Sequence, residues 1–408
     1  MRRAASAPPA TAAPAAPATP AGPAGITGAA AVFAESVRDR AADWDRHGAL
    51  PAEVRQRLGQ TGLLGADLPA RHGGLGGTPT ELGELCAVVG GVCSALRGLV
   101  TVQGMVSAAL SRWGTDQQRA RWLPRWATGR EIAGFAATEA EAGTDLASVG
   151  TLIEEDGDQL VVTGRKRWVT FGRTADVFLV LGTAAGRPTT VLVEADRPGV
   201  SREPVEGQLG MRAAEIAHLR LDRVRVPRGN LVAPFGLGLS HVTATALDHG
   251  RFTVAWGCLG MAETCLETVA RHIVHRTQGG VRLAEHQLVR SRLARAAVET
   301  TAARELCLRA ARLRASRSPE AVVGTITAKY AAARAASSVS HGAVQSLGAA
   351  GCAPDSVAGR FYRDAKVMQI IEGSEDVAEL HIADRLLRRY GFRPGQTAPT
   401  REPQETAP

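Results

Sequence analysis

The chain is poor in aromatic residues, which make up 4% of its 408 positions, and it holds only three lysines, Lys166, Lys329 and Lys366. Nucleic-acid binders set clustered basic side chains beside aromatic ones. No such stretch occurs, so nucleic acid is the poorest of the anionic partners open to a chain of formal charge +8. The six cysteines, at 86, 93, 258, 265, 307 and 352, form no C-x-x-C pair and no Cys/His cluster with zinc spacing. They read as buried, reduced thiols. No run of 18 or more apolar residues is present, so no membrane span is expected. There is no G-x-G-x-x-G after a strand, which disfavours a Rossmann nucleotide site. Residues 1–26 are rich in alanine and proline and have no apolar h-region. They read as a disordered tail and not as a secretory signal, and a cytoplasmic protein is expected. The Pro/Thr/Gln-rich segment 391–408 reads as a second disordered tail.

What is present is a 45% apolar content, enough for a sizeable core, arranged in three zones. Residues 27–132 read as helical, with segments such as Ala52–Thr61 and Thr80–Leu96 between Gly/Pro turns. Residues 133–236 change period. The short runs Gln159–Thr163, Val177–Leu181, Thr189–Glu194 and His218–Leu221 are separated by turn residues, which predicts a small β-barrel or sandwich. Residues 237–390 return to helix, with stripes at 3,4 spacing over Leu259–Ile273, Val289–Leu313, Ala332–Leu347 and Leu380–Tyr390. Four amphipathic segments predict a helical bundle. Many stripe positions are alanine or glycine, which permits close helix contacts and subunit packing. Helices, then a β unit, then helices make an α+β chain.

Glu372 stands out within Arg363–Ala383, between Ile370-Ile371 and Gly373-Ser374. A carboxylate in apolar surroundings loses hydration, and its pKa rises toward the range of a general base. The same pattern also suits a helix end. Three upstream segments can hold a flavin. Phe135–Asp145 offers Thr138 and a Gly143-Thr144-Asp145 turn, a cofactor loop or a plain entry loop into the β unit. Gly164–Thr170 offers the flat face of Trp168 and, two residues on and on the same strand face, the hydroxyl of Thr170; a barrel plug is the other reading of the Trp. His272–Arg276, followed by Glu285-His286-Gln287, offers a guanidinium for a pyrophosphate. Further on, Gln345 leads into small residues through Gly348 and Gly351.

Taken in this order, the segments resemble the acyl-CoA dehydrogenase family of flavoproteins over about residues 30–390. The resemblance implies an N-terminal helical domain (27–132), a middle β-barrel (133–236) and a C-terminal four-helix bundle (237–390). It implies FAD as cofactor. Phe135, Ala137, Thr138 and Thr144 fall in the first flavin loop, with Thr144 also toward substrate. Trp168, Val169 and Thr170 fall on the W-[IV]-T motif. Arg276, His286 and Gln287 fall where the FAD phosphates and adenine are gripped, and Gln345, Gly348 and Ala349 form a second grip; in the family both cross a subunit boundary. Ser374 and Asp376 lie toward the adenosine. Asp248 and Arg251 match the pair beside the thioester and pantetheine, with Gly373 at the thioester. Glu372 matches the base that removes the α-proton while hydride leaves the β-carbon for the flavin.

Several positions depart from the pattern. Gly279 stands where the family often has an aromatic, Ala349 replaces the second glycine of a pair, Thr144 replaces a serine, and Phe171-Gly172 replaces Asn-Gly. A finer likeness, in Val254–Gly260, Glu285–Val289 and Tyr362–Ser374, is to the acyl-ACP dehydrogenases that help make hydroxymalonyl-, methoxymalonyl- or aminomalonyl-ACP polyketide extender units. That likeness implies an acyl thioester on an acyl carrier protein, and a homotetramer or homodimer. An ordinary acyl-CoA dehydrogenase shares the fold and the base. A non-catalytic scaffold of the same fold is disfavoured by Glu372, Arg251, Trp168 and Thr170 occurring together. Neither the acyl group nor the electron acceptor is set by these motifs.

Overall fold

The computed structural model describes residues 25–392. The tails expected at 1–26 and 391–408 lie almost wholly outside the described residues, and the first helix already begins at Gly25. Six helices come first: α1 Gly25–Glu35, α2 Ala41–His47, α3 Ala52–Gln60, α4 Pro79–Gly90, α5 Ser94–Trp113 and α6 Asp116–Ala127. The strands follow: β1 Ala133–Ala136, β2 Leu152–Asp156, β3 Gln159–Val169, β4 Val177–Ala184, β5 Arg187–Glu194, β6 Val200–Pro204, β7 Ala217–Pro227 and β8 Leu231–Val232. The last zone holds α7 Ala244–His275, the hairpin β9 Thr277–Gln278 and β10 Val281–Arg282, then α8 Gln287–Ala315, α9 Ala321–Leu347, α10 Val357–Ile370 and α11 Glu375–Arg389. The α+β order expected from the change of period is the one observed.

Two details of the sequence reading change. The helix expected over Thr80–Leu96 is two helices, α4 and α5, parted at Gly91–Cys93. α4 is started by a capping box in which the Thr78 side chain accepts from the Glu81 N–H and the Glu81 side chain accepts from the Thr78 N–H. It stops where Gly90 meets α7, since a Cβ there would lie 2.8 Å from the Gly257 Cα. The helix α10 was not expected. Its buried Arg360 and Asp364 interrupt the apolar stripe made by Ala358, Phe361, Ala365 and Met368.

The central sheet runs β6-β7-β3-β2-β4-β5-β8, with β1 parallel to β4 in the register Phe135↔Leu179. Antiparallel neighbours dominate it, as hairpin turns such as Asp156-Gly157-Asp158 require. In the C-terminal zone α7 packs along α9 and also against α4 and α5 of the first zone. Glycine makes this close: a Cβ at Gly260 would lie 1.9 Å from the Ala87 carbonyl oxygen. The long helix α7 therefore carries its buried face against both helical zones. Five of the six cysteines are buried as expected, and Cys352 is exposed.

Candidate active site

Helix α10 ends at Ile370, and α11 starts at its N-cap Ser374, whose hydroxyl accepts from the Val377 N–H. Glu372 sits in the three-residue link with φ 57, and Gly373 follows with φ 96. Glycine adopts this region freely, whereas an L side chain there costs about 1–2 kcal/mol. Glu372 is therefore a strained residue that its surroundings must hold. Two cations do so. Arg251 Nε donates to the Glu372 carbonyl oxygen at 2.8 Å, and Lys329 Nζ donates to the Gly373 carbonyl oxygen at 2.8 Å. Lys329 is itself 2% exposed, in the middle of α9.

The clamp uses main-chain oxygens and leaves the carboxylate free. Glu372 Oε2 is shut off from solvent and has no hydrogen-bond partner. It faces α7 at Gly250, where a Cβ would stand 2.6 Å from Oε2 and 2.9 Å from Met105 Sδ. Only glycine leaves that space. Burial pushes the Glu372 carboxyl up to about 7, against the pull of Arg251, Lys329 and Arg97, which favour its ionised form. An orphaned carboxylate, ionising near neutrality and lining a pocket with Arg251, Lys329 and Gly373, has the properties of a proton acceptor awaiting a carbon acid.

The ring-side flavin residues expected from the sequence lie where the loop after β1 meets the end of β3. The Arg167 N–H donates to the Thr138 carbonyl oxygen at 2.8 Å, which ties the loop after β1 to the end of β3. Ala137 is buried, Phe135 and Thr138 are half-buried and Thr144 is exposed. Trp168 and Thr170 do not alternate on one regular strand face. The β3–β7 register shifts between Lys166 and Val169, Trp168 takes φ 59, and β3 ends at Val169, leaving Thr170 in the following turn. The bulge turns the indole outward, 54% exposed, with its ring edge-on to His218 at 5.3 Å. A large flat ring left open beside a half-buried hydroxyl fits an isoalloxazine.

Sequence reasoning missed what supports this loop. Lys166, fully buried, donates to the Glu139 carboxylate at 2.5 Å and to the Ala137 carbonyl oxygen at 3.1 Å. The same carboxylate accepts from the Gly150 and Thr151 N–H groups and from the Thr151 hydroxyl. Residues 137–151 are thus wrapped around one ion pair. Burial pushes the Lys166 amine down to about 8, while Glu139 is held below the usual carboxylate range by its donors although burial opposes them. Removing one partner of such a pair leaves an uncompensated charge. Lys166→Met is expected to cost about 3–5 kcal/mol of stability and to lower the flavin bound per chain, as read by thermal unfolding and the visible absorption band.

The remaining expected residues fall into separate groups. Arg276 caps the end of α7, exposed, and leads into a hairpin whose Gly279 and Gly280 both have positive φ. A two-residue hairpin of that kind favours glycine at both positions, which accounts for Gly279 in place of an aromatic. His286 and Gln287 follow that hairpin at the start of α8, exposed. Gln345, Gly348 and Ala349 are exposed at the end of α9. Ser374 is taken up as an N-cap, and Asp376 is exposed in the first turn of α11. Asp248 is ion-paired to Arg314 at 2.5 Å, and its second oxygen is buried without a partner. Helix α5 joins the flavin edge to the base: Gly98 faces Thr170 and Met211, and Met105 faces Gly250.

Comparison with known proteins agrees with this geometry. Family models for the acyl-CoA dehydrogenase N-terminal, middle and C-terminal domains match residues 26–130, 134–224 and 236–387. The chain is 31% identical over 362 residues to the mitochondrial short-chain specific acyl-CoA dehydrogenase of Mus musculus, covering 86% of each chain. It is 39% identical to the solved structure of FkbI, for biosynthesis of the methoxymalonyl extender unit of the Fk520 polyketide, with a TM-score of 0.83 over 88% of this chain and 99% of that one. It is 25% identical to the prolyl acyl carrier protein oxidase AnaB, with a TM-score of 0.84 over 88% and 97%. The chain belongs to the acyl-CoA dehydrogenase family and is an FAD-dependent oxidoreductase.

Proposed function

We infer that the protein oxidises a small acyl group carried as a thioester on an acyl carrier protein, with Glu372 as the base that takes the α-proton, on the way to a substituted malonyl extender unit. The observation that carries this reading is the free, buried Glu372 oxygen, with its carboxyl pushed up to about 7 beside Gly250. Phe135, Ala137, Thr138, Thr144, Trp168, Val169 and Thr170 would hold the flavin ring side, and Arg276, His286, Gln287, Gln345, Gly348, Ala349, Ser374 and Asp376 the phosphate and adenosine side. FAD, when bound, supplies the hydride acceptor. Gly373 and Arg251 would orient the thioester, and Asp248 keeps one buried oxygen free for a donor on the carrier arm.

The carrier assignment is supported by the 39% identity to FkbI, a protein for biosynthesis of a methoxymalonyl extender unit, and by the resemblance to AnaB, a prolyl acyl carrier protein oxidase. The formal charge of +8 complements an acidic carrier. The short-chain mitochondrial relative instead favours free CoA esters as a second reading. Matched thioesters separate the two. The expected result is a kcat/KM at least about tenfold higher with acyl-ACP, the worth of roughly 1.4 kcal/mol of carrier contacts, with the ratio falling as salt screens the arginines. Equal or better rates with acyl-CoA would assign the second reading.

Assembly into a homotetramer or homodimer belongs to the same proposal. Leu380 and Leu387 on α11 and Tyr390 just beyond its end, part of the stripe read from the sequence as a bundle helix, are 66%, 43% and 83% exposed in the single chain. Arg276 and Gln345 are also exposed in the single chain. Both facts suit a second copy supplying the cover.

A further inference from the structure

Two stretches far apart in the chain carry a local excess of arginine. Residues 309–320 hold four arginines and one acid, Glu320, and residues 384–389 hold three arginines and one acid, Asp384. The fold brings the two together. Glu320, at the start of α9, is ion-paired with Arg385 and, at 3.0 Å, with Arg389, both near the end of α11. Arg314 reaches the other way, to Asp248 of α7. Arg309, Arg312, Arg317 and Arg388 are exposed, and none has an ion-pair partner among the described residues. Cations are favoured in the last turn of a helix, which accounts for Arg312, Arg314, Arg388 and Arg389. It does not account for Arg309, which lies earlier in α8 against Gly324 of α9, or for Arg317, which stands beyond the end of α8 with φ 51. Unpaired like charges on one surface repel one another, and an acidic partner relieves that repulsion.

The surface is tied to the base by the helices that carry it. Lys329 of α9 bonds the Gly373 carbonyl, the Tyr330 hydroxyl donates to the Glu379 carboxylate at 2.8 Å, and Glu320 closes on Arg385. α9 and α11 therefore run antiparallel, with the Glu372 link at one end and the arginines at the other. On α11, Val377, His381, Arg385 and Arg389 recur every four residues and share one face. Val377 and His381 line the pocket of Glu372 and Arg251, so one line of side chains leads from the base out to the arginines. Arg385 comes 12 residues after Gly373, about 18 Å at the helical rise, a separation that suits a long tether between surface and base. A second lead runs through Asp248, expected beside the pantetheine, whose free buried oxygen sits on the carboxylate that Arg314 holds. Leu380 and Leu387 lie on the opposite side of α11 from Arg385 and Arg389, so a second copy can cover the leucines without covering the arginines.

We propose that the arginines at the ends of α8 and α11 are the docking surface for an acidic carrier protein, which seats its body there while its thioester-bearing arm passes Asp248 to reach Glu372. This deepens the reading given under Proposed function and rests on it. The fit is one of charge and placement: an acidic face answers the unpaired guanidinium groups, and the arm spans the distance to the base. A thioester without a carrier body has nothing to seat on Arg309 and Arg317.

The test uses the full-length, flavin-loaded protein and one acyl group presented in three forms: on an acidic carrier protein, on CoA and on pantetheine alone. Arg309→Glu combined with Arg317→Glu is expected to raise KM for the carrier-bound form about tenfold, with kcat little changed. The CoA and pantetheine forms should keep their wild-type KM and kcat. Added salt should lower the wild-type kcat/KM for the carrier-bound form toward that of the variant. Arg130→Glu combined with Arg223→Glu makes the same change of charge at exposed positions after α6 and on β7, and all three forms should react as with wild type. An unchanged KM for the carrier-bound form, an equal loss with all three forms, or the same loss in the second double variant would overturn the proposal. A wild type that turns over the CoA form as well as the carrier-bound form would instead overturn the carrier reading under Proposed function.

Discussion

Glu372→Gln is expected to keep its flavin and to lose turnover by about 10⁴-fold, the upper range for removal of a positioned base. Flavin retention follows from geometry, since the residues expected at the ring lie around Thr138 and Trp168 and the Glu372 Oε2 makes no hydrogen bond to any described residue. The main-chain clamp from Arg251 and Lys329 is unchanged by the substitution. In the wild type the base must be ionised, so kcat/KM should rise with pH through an inflection near 7.

The same shift has a consequence for stability. Folding raises the Glu372 carboxyl from 4.5 to about 7. Below its unfolded value both states are protonated and the group contributes nothing. As pH rises toward 7 the unfolded state ionises first, so stability falls, and the loss is complete above the folded value. At about 1.4 kcal/mol per unit, the cost at pH 8 is at most about 3.5 kcal/mol. The glutamine variant should therefore unfold at a higher temperature than wild type at pH 8 and at the same temperature at pH 4. Wild-type stability at both pH values would show that the carboxyl is not desolvated as described.

Lys329→Met is expected to lower kcat/KM by about 10²-fold, as a displacement of roughly 1 Å at a reacting group does. The Gly373 carbonyl loses its donor, and a link held at φ 57 and 96 relaxes. Glu372 also loses a nearby cation that favours its ionised form, so the inflection in kcat/KM should move above 7. Lys329→Arg should restore much of the rate. A variant with reduced thermal stability but an unmoved inflection would mark Lys329 as packing alone.

The three zones were legible because hydrophobic period changes from 3.6 to 2 and back. Glu372 was legible because an acid between isoleucines and glycine has a direct physical reading. What the sequence hid depends on burial of charge. Arg97, Lys166 and Lys329 are buried, and nothing in their sequence neighbours announces that Arg97 packs on Gly257 of α7, that Lys166 is held by the loop 137–151 or that Lys329 bonds the Gly373 carbonyl. Helix α10 was missed for the same reason, because Arg360 and Asp364 lie inside it and are buried. The orientation of Trp168 was misread because a bulge shifts register without any glycine or proline at the site. The stripe on α11 was correctly read as apolar but assigned to the chain's own core, while a single chain leaves it exposed.

The central claim is that Glu372 removes the α-proton of an acyl thioester. A carrier-bound acyl thioester with no hydrogen on its β-carbon can be deprotonated but cannot be oxidised, so it isolates this step. In deuterated water the flavin-loaded wild type should exchange its α-hydrogens, as read by mass spectrometry, at a rate that rises with pH through about 7. Glu372→Gln should show no exchange above the uncatalysed level. Exchange at the wild-type rate in that variant would contradict the account.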